Sequence, residues 1–232
     1  MAFTRPGTTG TLASNLYAME KRVFENPLIK DKVTLLESSQ ETNGAYTLLE
    51  VALEVGGGNS LHYHTSFNEE FTAIEGTLSI GLKERQLHLK PGQTTVAEIN
   101  QLHRFYNASS SPIRFQVKLT PGSTEFEKCI AIGYGLAGDG LTNKNGIPKK
   151  MDHLALLLDL GNTRLTGFIA FIMPYLLRRA KRARKKGVLK ILENKYWLEL
   201  GSRKVGKSES PEDRKTGSLE VRKTTSKPEA LK

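Results

Sequence analysis

Residues 62–76 of this 232-residue chain read HYHTSFNEEFTAIEG. Successive side chains of a β-strand point to opposite faces, so His62 and His64 project to the same side and can hold one ion with imidazole nitrogens about 2 Å away. A second strand follows the turn TSFN, and a carboxylate near its start can join the two histidines. The stretch therefore predicts two neighbouring strands that carry a metal site.

Two glutamates compete for the carboxylate position. If Glu69 points inward, Phe71 and Ala73 also point inward and make an apolar inner face. An inward Glu70 would instead bring the polar Thr72 inside. The alternation therefore favours Glu69 as the ligand.

The downstream segment HRFYN offers a further imidazole, His103. Three imidazoles and one carboxylate from three separated strands suit one divalent transition metal, such as Fe, Mn, Ni, Cu or Zn, and leave coordination positions open. We expect His88 to be a surface residue, His153 to be a helix-capping or surface residue and Cys129 to be a buried small hydrophobe. No residue beyond the four ligands is assigned a catalytic role.

Short apolar runs separated by Gly, Pro, Asn and Ser continue from residue 31 to residue 119, which is typical of an antiparallel sandwich or barrel. Residues 133–150 are rich in Gly and Asn and predict a long loop. Two helical segments, joined through Gly161 and Asn162, follow this loop. The predicted divisions are an N-terminal arm (1–30), a β-barrel (31–122), a loop and helical extension (123–200) and a disordered tail (201–232).

The formal net charge of +10 lies entirely in residues 151–232, because residues 1–150 carry equal numbers of acidic and basic side chains. The part that carries the metal motif is therefore neutral, and no nucleic acid partner is expected. A single cysteine excludes an internal disulfide and a Cys-rich zinc site. The first residues lack the apolar stretch of a secretory signal, which predicts a cytoplasmic protein.

The spacing of these residues resembles the cupin superfamily. Its first motif, G-x5-H-x-H-x3,4-E-x6-G, is matched in full from Gly56 to Gly76. Its second motif, G-x5-P-x-G-x2-H-x3-N, is matched at Gly92, His103 and Asn107, whereas Glu98 and Asn100 replace the proline and the second glycine. Asn tolerates positive φ, so Asn100 is a plausible substitute at that turn.

The resemblance implies a mainly β fold, a small antiparallel β-barrel or jelly roll with a C-terminal α-helical extension. It also implies a metal held by His62, His64, Glu69 and His103 beside a pocket for a small organic molecule. Two functions stay open: a dioxygenase-like or isomerase-like enzyme, which we favour, and a non-catalytic ligand-binding or sensor cupin. A homodimer with the β region at its interface is expected, because exposed sheet edges need cover.

The extension contains an apolar segment, residues 165–177, followed by seven basic residues within 178–186. The apolar part is shorter than the ~20 residues that span a bilayer. We favour a helix packed on the barrel through one side, with Pro174 breaking its regularity. The alternative is an interfacial helix, within residues 165–190, attracted to an anionic membrane surface. The residues on the packed side would be Phe168, Ile169, Ile172, Tyr175 and Leu176.

Overall fold

Ten short strands precede the first helix in the described part of the chain. The computed structural model describes residues 22–83 and 85–198, so the predicted tail at 201–232 and most of the predicted arm at 1–30 lie outside it. The strands are β1 (Arg22–Asn26), β2 (Asp31–Glu37), β3 (Thr47–Leu53), β4 (His62–His64), β5 (Asn68–Glu75), β6 (Leu78–Leu82), β7 (Arg85–Leu89), β8 (Thr94–Ala97), β9 (His103–Tyr106) and β10 (Ile113–Thr120).

The strands form two antiparallel sheets. One has the order β1-β2-β3-β10-β5-β8, and the other has the order β4-β9-β6-β7 with a further strand, β11 (Thr163–Leu165), paired outside β4. Strand β1 lies within the predicted arm, so the sheet begins before residue 31. The predicted mainly β, jelly-roll-like fold is confirmed, although the two sheets do not close into a barrel.

The hydrophobic core lies between the two sheets because alternate side chains of both sheets point inward. Phe71 of β5, Phe115 of β10 and Ile80 of β6 are fully buried in one cluster. The burial alternates along β5 and β10, which is the pattern expected for strands with one face on the core. The inner face therefore combines an apolar core with the inward-pointing metal motif.

Helices make up most of the extension. They are α1 (Thr124–Gly138), α2 (Met151–Leu160), α3 (Phe168–Lys185) and α4 (Val188–Glu193), followed by a π-helical turn (Asn194–Leu198). The loop prediction for residues 133–150 is wrong for residues 133–138, which belong to α1. Gly135 is required there by packing, because a Cβ at this position would collide with the ring of Tyr196.

Helix α1 is held on the six-stranded sheet by buried polar contacts. The Ser123 hydroxyl caps its first turn by accepting a hydrogen bond from the Phe126 amide (3.1 Å). Glu127 accepts from the Ser39 amide at 2.6 Å and from the Thr47 hydroxyl at 2.7 Å. These contacts satisfy the buried carboxylate. They join the first turn of α1 to the start of β3 and to the segment that follows β2.

The predicted packing of α3 on the barrel is wrong. Met173, Leu176, Ala180 and Ala183 are its buried residues, and they contact α2 and neighbouring parts of the extension. Of the five residues predicted to face the barrel, only Leu176 is buried. The other four are exposed: Phe168, Ile169, Ile172 and Tyr175.

Pro174 does not interrupt α3, contrary to the prediction, since the helix continues to Lys185. The proline ring is exposed, and so is Ala170, whose carbonyl loses its usual helical donor and can bond to water instead. Within residues 22–83 and 85–198, no helix has both the length and the apolar character needed to cross a bilayer.

Candidate metal centre

The four predicted ligands come together on the inner face of the structure. His62 and His64 lie on β4, Glu69 on β5 and His103 on β9. One ligand atom from each residue lies within 4.8 Å of the other three, and all four residues are buried. This spacing is close to the roughly 4 Å that separates opposite ligands of one transition-metal ion.

Strand register explains why these side chains meet. His62 is the direct partner of His103 across the β4–β9 pair, so both imidazoles point to the same side. Glu69, Phe71 and Ala73 are buried along β5, whereas Glu70 is half-buried on the other face. The alternation that selected Glu69 over Glu70 therefore describes the observed face of the strand.

A backbone carbonyl fixes the orientation of each imidazole. His62 Nδ1 lies 2.8 Å from the Ser60 oxygen, His64 Nδ1 lies 3.0 Å from the Gly161 oxygen, and His103 Nδ1 lies 2.8 Å from the Gln101 oxygen. A carbonyl oxygen can only accept, so each Nδ1 carries the proton and donates it. In the neutral ring, each Nε2 is then left with a lone pair that faces the centre.

These lone pairs face one another at short distances. His62 Nε2 lies 3.1 Å from His64 Nε2, and His103 Nε2 lies 2.7 Å from Glu69 Oε2. Two acceptors at such distances repel unless a proton or a cation lies between them. The donor set therefore fits a divalent cation, which would satisfy three nitrogen lone pairs and one carboxylate at once.

Electrostatics hold His62, His64 and Glu69 in the states that bind metals, whereas His103 is held closer to its protonated state. Burial lowers the pKa of His62 to about 4 and also lowers the pKa of His64, so both rings are neutral at neutral pH. Burial alone would raise the pKa of Glu69, but the neighbouring His64 and the hydrogen bond from His103 outweigh it and lower that pKa. For His103, the hydrogen bond to Glu69 outweighs burial and raises the pKa, which favours a proton on Nε2, and a bound metal ion would take the place of that proton.

Aromatic rings enclose the centre. The Phe67 ring stacks on His64 with centroids 4.5 Å apart, and Phe126 of α1 meets His64 edge-on at 5.9 Å. Phe71 packs beside His103 at 5.9 Å. These rings exclude water from the ligands and lower the local dielectric, which strengthens any interaction between the ligands and a cation.

The helical extension supplies part of the centre, which the sequence did not indicate. The Gly161 carbonyl that orients His64 is the C-cap of α2. Beside it, Asn162 Oδ1 accepts from the Thr65 amide (2.5 Å) and hydroxyl (2.8 Å). Strand β11 then pairs with all three residues of β4, with Thr163 opposite His64. The extension therefore holds the strand that carries two of the four ligands.

Turn residues of the two motifs have the backbone conformations that the motifs require. Asn100 has φ 65°, so asparagine does occupy the left-handed turn position at which the family pattern has glycine. Gly76 has φ 74°, and a Cβ there would lie 2.6 Å from Ile113. The Asn107 amide donates to the carbonyls of Leu53 and Ser111. These residues place the strands, and the Asn100 amide also donates to the backbone carbonyl of His64 at 2.7 Å.

The other histidines and the cysteine stay outside the centre. His88 is exposed, as predicted. His153 was predicted to cap the helix or to lie at the surface; it is buried in the first turn of α2, and the helix has no side-chain cap, so this prediction is wrong. The Cys129 thiol donates to the Leu157 carbonyl (3.3 Å), and burial raises its pKa to about 12, so it behaves as a packing residue and not as a nucleophile.

A surface cleft of about 480 Å³ is lined by none of the four predicted ligands. It is lined in part by Gly81 and Arg104, which are paired across β6 and β9. Arg104 directly follows His103, so its side chain points to the opposite face of the sheet. The predicted pocket for a small molecule beside the metal stays a prediction, and Phe67 and Phe126 pack against His64 on the inner face.

Comparison with known proteins relates part of the chain to one family. Residues 49–120 match the family model described as the cupin domain. Similar solved structures include the cupin domain of an XRE family transcriptional regulator from Enterobacter cloacae, with 22% identity over 39% of this chain and 96% of that chain and a TM-score of 0.36. A sugar phosphate isomerase from a cupin superfamily, from Silicibacter pomeroyi, has 23% identity over 44% and 71%, with a TM-score of 0.38.

A third similar structure is the polyketide cyclase RemF from Streptomyces resistomycificus, with 19% identity over 39% of this chain and 60% of that chain and a TM-score of 0.36. No curated protein matches the chain. The family match confirms the resemblance that the two motifs carry: residues 49–120 are similar to the cupin domain. None of these likenesses identifies a reaction.

Proposed function

We propose that the cupin domain binds one divalent first-row transition-metal ion through His62, His64, Glu69 and His103, and that the site catalyses a dioxygenase-like or isomerase-like reaction on a small organic molecule. The observation that carries the metal proposal is the convergence of three Nε2 lone pairs and one buried carboxylate, with every Nδ1 donating to a backbone carbonyl. Four protein ligands leave positions for a substrate oxygen atom.

A bound ion would supply Lewis-acid polarisation of a carbonyl or enol, or would activate dioxygen. The chain's own residues prepare that chemistry. The single carboxylate, Glu69, only partly neutralises a divalent charge, so the site favours an electron-rich or anionic substrate group. Phe67 and Phe126 exclude water and line the approach to His64.

A non-catalytic ligand-binding cupin is the second candidate, and the burial of the centre favours it. The exposed fractions of the four ligand residues range from 1% to 8%, and Phe126 of α1 covers His64. An enzyme with this geometry has to displace a ring to admit a substrate, whereas a site that only holds a metal or a small ligand can stay closed. The two functions therefore predict different consequences of opening the cover.

Metal content tests the ligand assignment. Protein purified from its own host should contain about one transition-metal ion per chain by elemental analysis. The double variant His62→Ala, His64→Ala should lose most of this metal while the strands stay folded, because the apolar core is separate from the ligands. The matched control is His88→Ala, which removes an exposed imidazole. Full metal occupancy in the double variant would refute the site.

Turnover separates the two candidates. We expect the metal-loaded protein to consume dioxygen, or to isomerise substrate, within a panel of enols and polyphenols, and His103→Ala to abolish that activity. The Phe126→Ala variant should bind panel members faster, because it removes the ring that covers His64. Phe126→Ala could speed ligand binding while neither wild type nor the variant converts any compound. That result would reject the enzyme proposal and favour the non-catalytic ligand-binding function.

A further inference from the structure

The outward side of α3 begins with an uncovered apolar row. Phe168 is 81% exposed and Phe171 is 83% exposed, and Tyr175 stands one turn further along the same side. Ile172 adjoins this row and is also exposed. A contiguous patch of large apolar side chains of this kind marks an interaction surface.

Basic side chains continue the same row toward the C-terminal end of α3. Arg178 lies three residues after Tyr175, and Arg182 lies four residues after Arg178. Both therefore lie on the side of the helix that carries the phenyl rings. Two further arginines face the extension and pair there: Arg179 with Asp152 (2.7 Å) and Arg184 with Asp159 (2.9 Å). The outward side therefore changes from apolar to cationic along one helix.

The outward cations have no acidic partners in the described residues. Helix α3 itself contains neither Asp nor Glu. No ion pair joins the remaining basic residues of the run to residues 22–83 or 85–198. The basic residues without such a pair are all exposed, and there are five of them: Arg178, Lys181, Arg182, Lys185 and Lys186.

An anionic bilayer surface complements both halves of this helix. Its headgroup phosphates and carboxylates match the cationic turns, and its acyl region accepts the side chains of phenylalanine and isoleucine. A second copy of α3 would bring no acidic residue to the cations and would leave them buried without partners. A nucleic acid would satisfy the charges but would leave Ile172 and much of the phenyl surface in water.

We propose that α3 is an interfacial helix that binds this protein to anionic phospholipid membranes. Phe168, Phe171 and Ile172 enter the boundary between headgroups and acyl chains, and Arg178 and Arg182 lie at the phosphates. The apolar part, residues 168–177, is about 15 Å long at ~1.5 Å per residue, which is half of the ~30 Å hydrocarbon core. The helix therefore lies along the surface. This inference is independent of the metal proposal.

Co-sedimentation of the full chain with phospholipid vesicles tests it. We expect binding to vesicles that contain phosphatidylserine and little binding to pure phosphatidylcholine. Raising the salt should release the protein, because the Debye length falls from about 10 Å at ~0.1 M to about 3 Å at ~1 M. Equal binding to both vesicle types, or no binding to either, would overturn the proposal.

Two double variants locate the surface. Arg178→Gln, Arg182→Gln should weaken binding about 25-fold, at about fivefold for each cation removed. The matched control is Arg85→Gln, Lys90→Gln, which removes the same charge from the opposite edge of the five-stranded sheet. Unchanged binding of the first variant, or an equal loss in the control, would overturn the assignment to α3.

The apolar row has its own variant and control. Phe168→Ser, Phe171→Ser should weaken binding by at least about tenfold for each ring, whereas Val96→Ser, which changes an exposed apolar residue of β8, should not. If the phenylalanine variant keeps its vesicle binding, the row does not enter lipid. If it instead halves the mass of the protein without vesicles, a second copy covers the row and the membrane proposal is wrong.

Discussion

Replacing Asn162 by alanine tests whether the extension is a working part of the metal centre. The Asn162 side chain accepts two hydrogen bonds from Thr65, the residue that follows the His62–His64 strand. Its backbone has φ 49°, which asparagine tolerates better than alanine. The preceding carbonyl, from Gly161, accepts the Nδ1 proton of His64. A change at Asn162 therefore acts on the ligand through the turn.

The contacts set the size of the effect. Alanine in the left-handed region costs about 1 kcal/mol, and each lost hydrogen bond costs about 0.5–1.5 kcal/mol, toward the lower end here because Thr65 is exposed. The free energy of unfolding of the metal-free protein should therefore fall by about 2 kcal/mol. Metal affinity should fall by about tenfold or more, which is typical when the partner of a metal-ligating histidine is disturbed.

Two assays on four proteins separate the contributions. Urea unfolding without metal measures stability, and competition with a chromophoric chelator measures affinity for Zn²⁺ as the probe ion. Asn162→Gly removes the hydrogen bonds but accepts the backbone conformation, so it should lie between wild type and Asn162→Ala. Asn162→Asp keeps acceptor oxygens and should stay near wild type. If Asn162→Ala is destabilised but binds Zn²⁺ with full affinity, the turn does not orient His64.

Three further predictions concern the rest of the molecule. Burial raises the pKa of Asp31 from 3.8 to about 6, so its contribution to stability is complete below pH ~4 and falls by about 3 kcal/mol as pH rises to ~6. Asp31→Asn, followed by urea unfolding across this range, should abolish that decline, and an unchanged pH profile would contradict the assignment. Gly135→Ala should destabilise the protein by about 1–3 kcal/mol in thermal unfolding, because its methyl group would collide with Tyr196, whereas Gly138→Ala, with open space around it, should not. Light scattering at micromolar concentration should give twice the 25.7 kDa mass of one chain if exposed sheet edges pair as predicted, and a monomeric mass would count against a dimer.

The ligand set could be predicted from the sequence because its geometry is local. Two histidines two residues apart on a strand share a face whatever the strand pairs with, and the parity of Glu69 with Phe71 follows from the same period. The turn at Asn100 could also be predicted, because asparagine is one of the few residues besides glycine that accept positive φ. These features depend on backbone periodicity and not on distant parts of the chain.

The closure of the site depends on distant parts of the chain and could not be predicted. Phe126 covers His64 from a helix that begins about sixty residues later. Residues 133–138 read as a loop because glycine is a poor helix former, but the Tyr196 ring occupies the space beside Gly135 and makes a small residue necessary. Tertiary packing overrides local propensity at such positions.

The sequence also could not show which side of α3 is buried. The period of the apolar residues in 168–177 is compatible with two sides, because nearly every position there is apolar. The small residues Ala180 and Ala183 decide the outcome, since they let α3 approach its neighbours closely and bring Met173 and Leu176 inward with them. The side that carries Phe168 and Phe171 is then directed to solvent.

Strand β11 connects the two proposals. Strand β4 has three residues and meets β9 through one register pair, so on its own it would be a short, weakly held edge strand. Strand β11 pairs with all of β4, and His62 and His64 therefore depend on the extension for their position. Phe168 follows Thr163, the partner of His64, by five residues, a span of at most about 18 Å. A membrane bound at the outward row of α3 would thus lie close to the strand that positions two of the proposed ligands, and the extension would then both cover the four-residue cluster and connect it to that membrane.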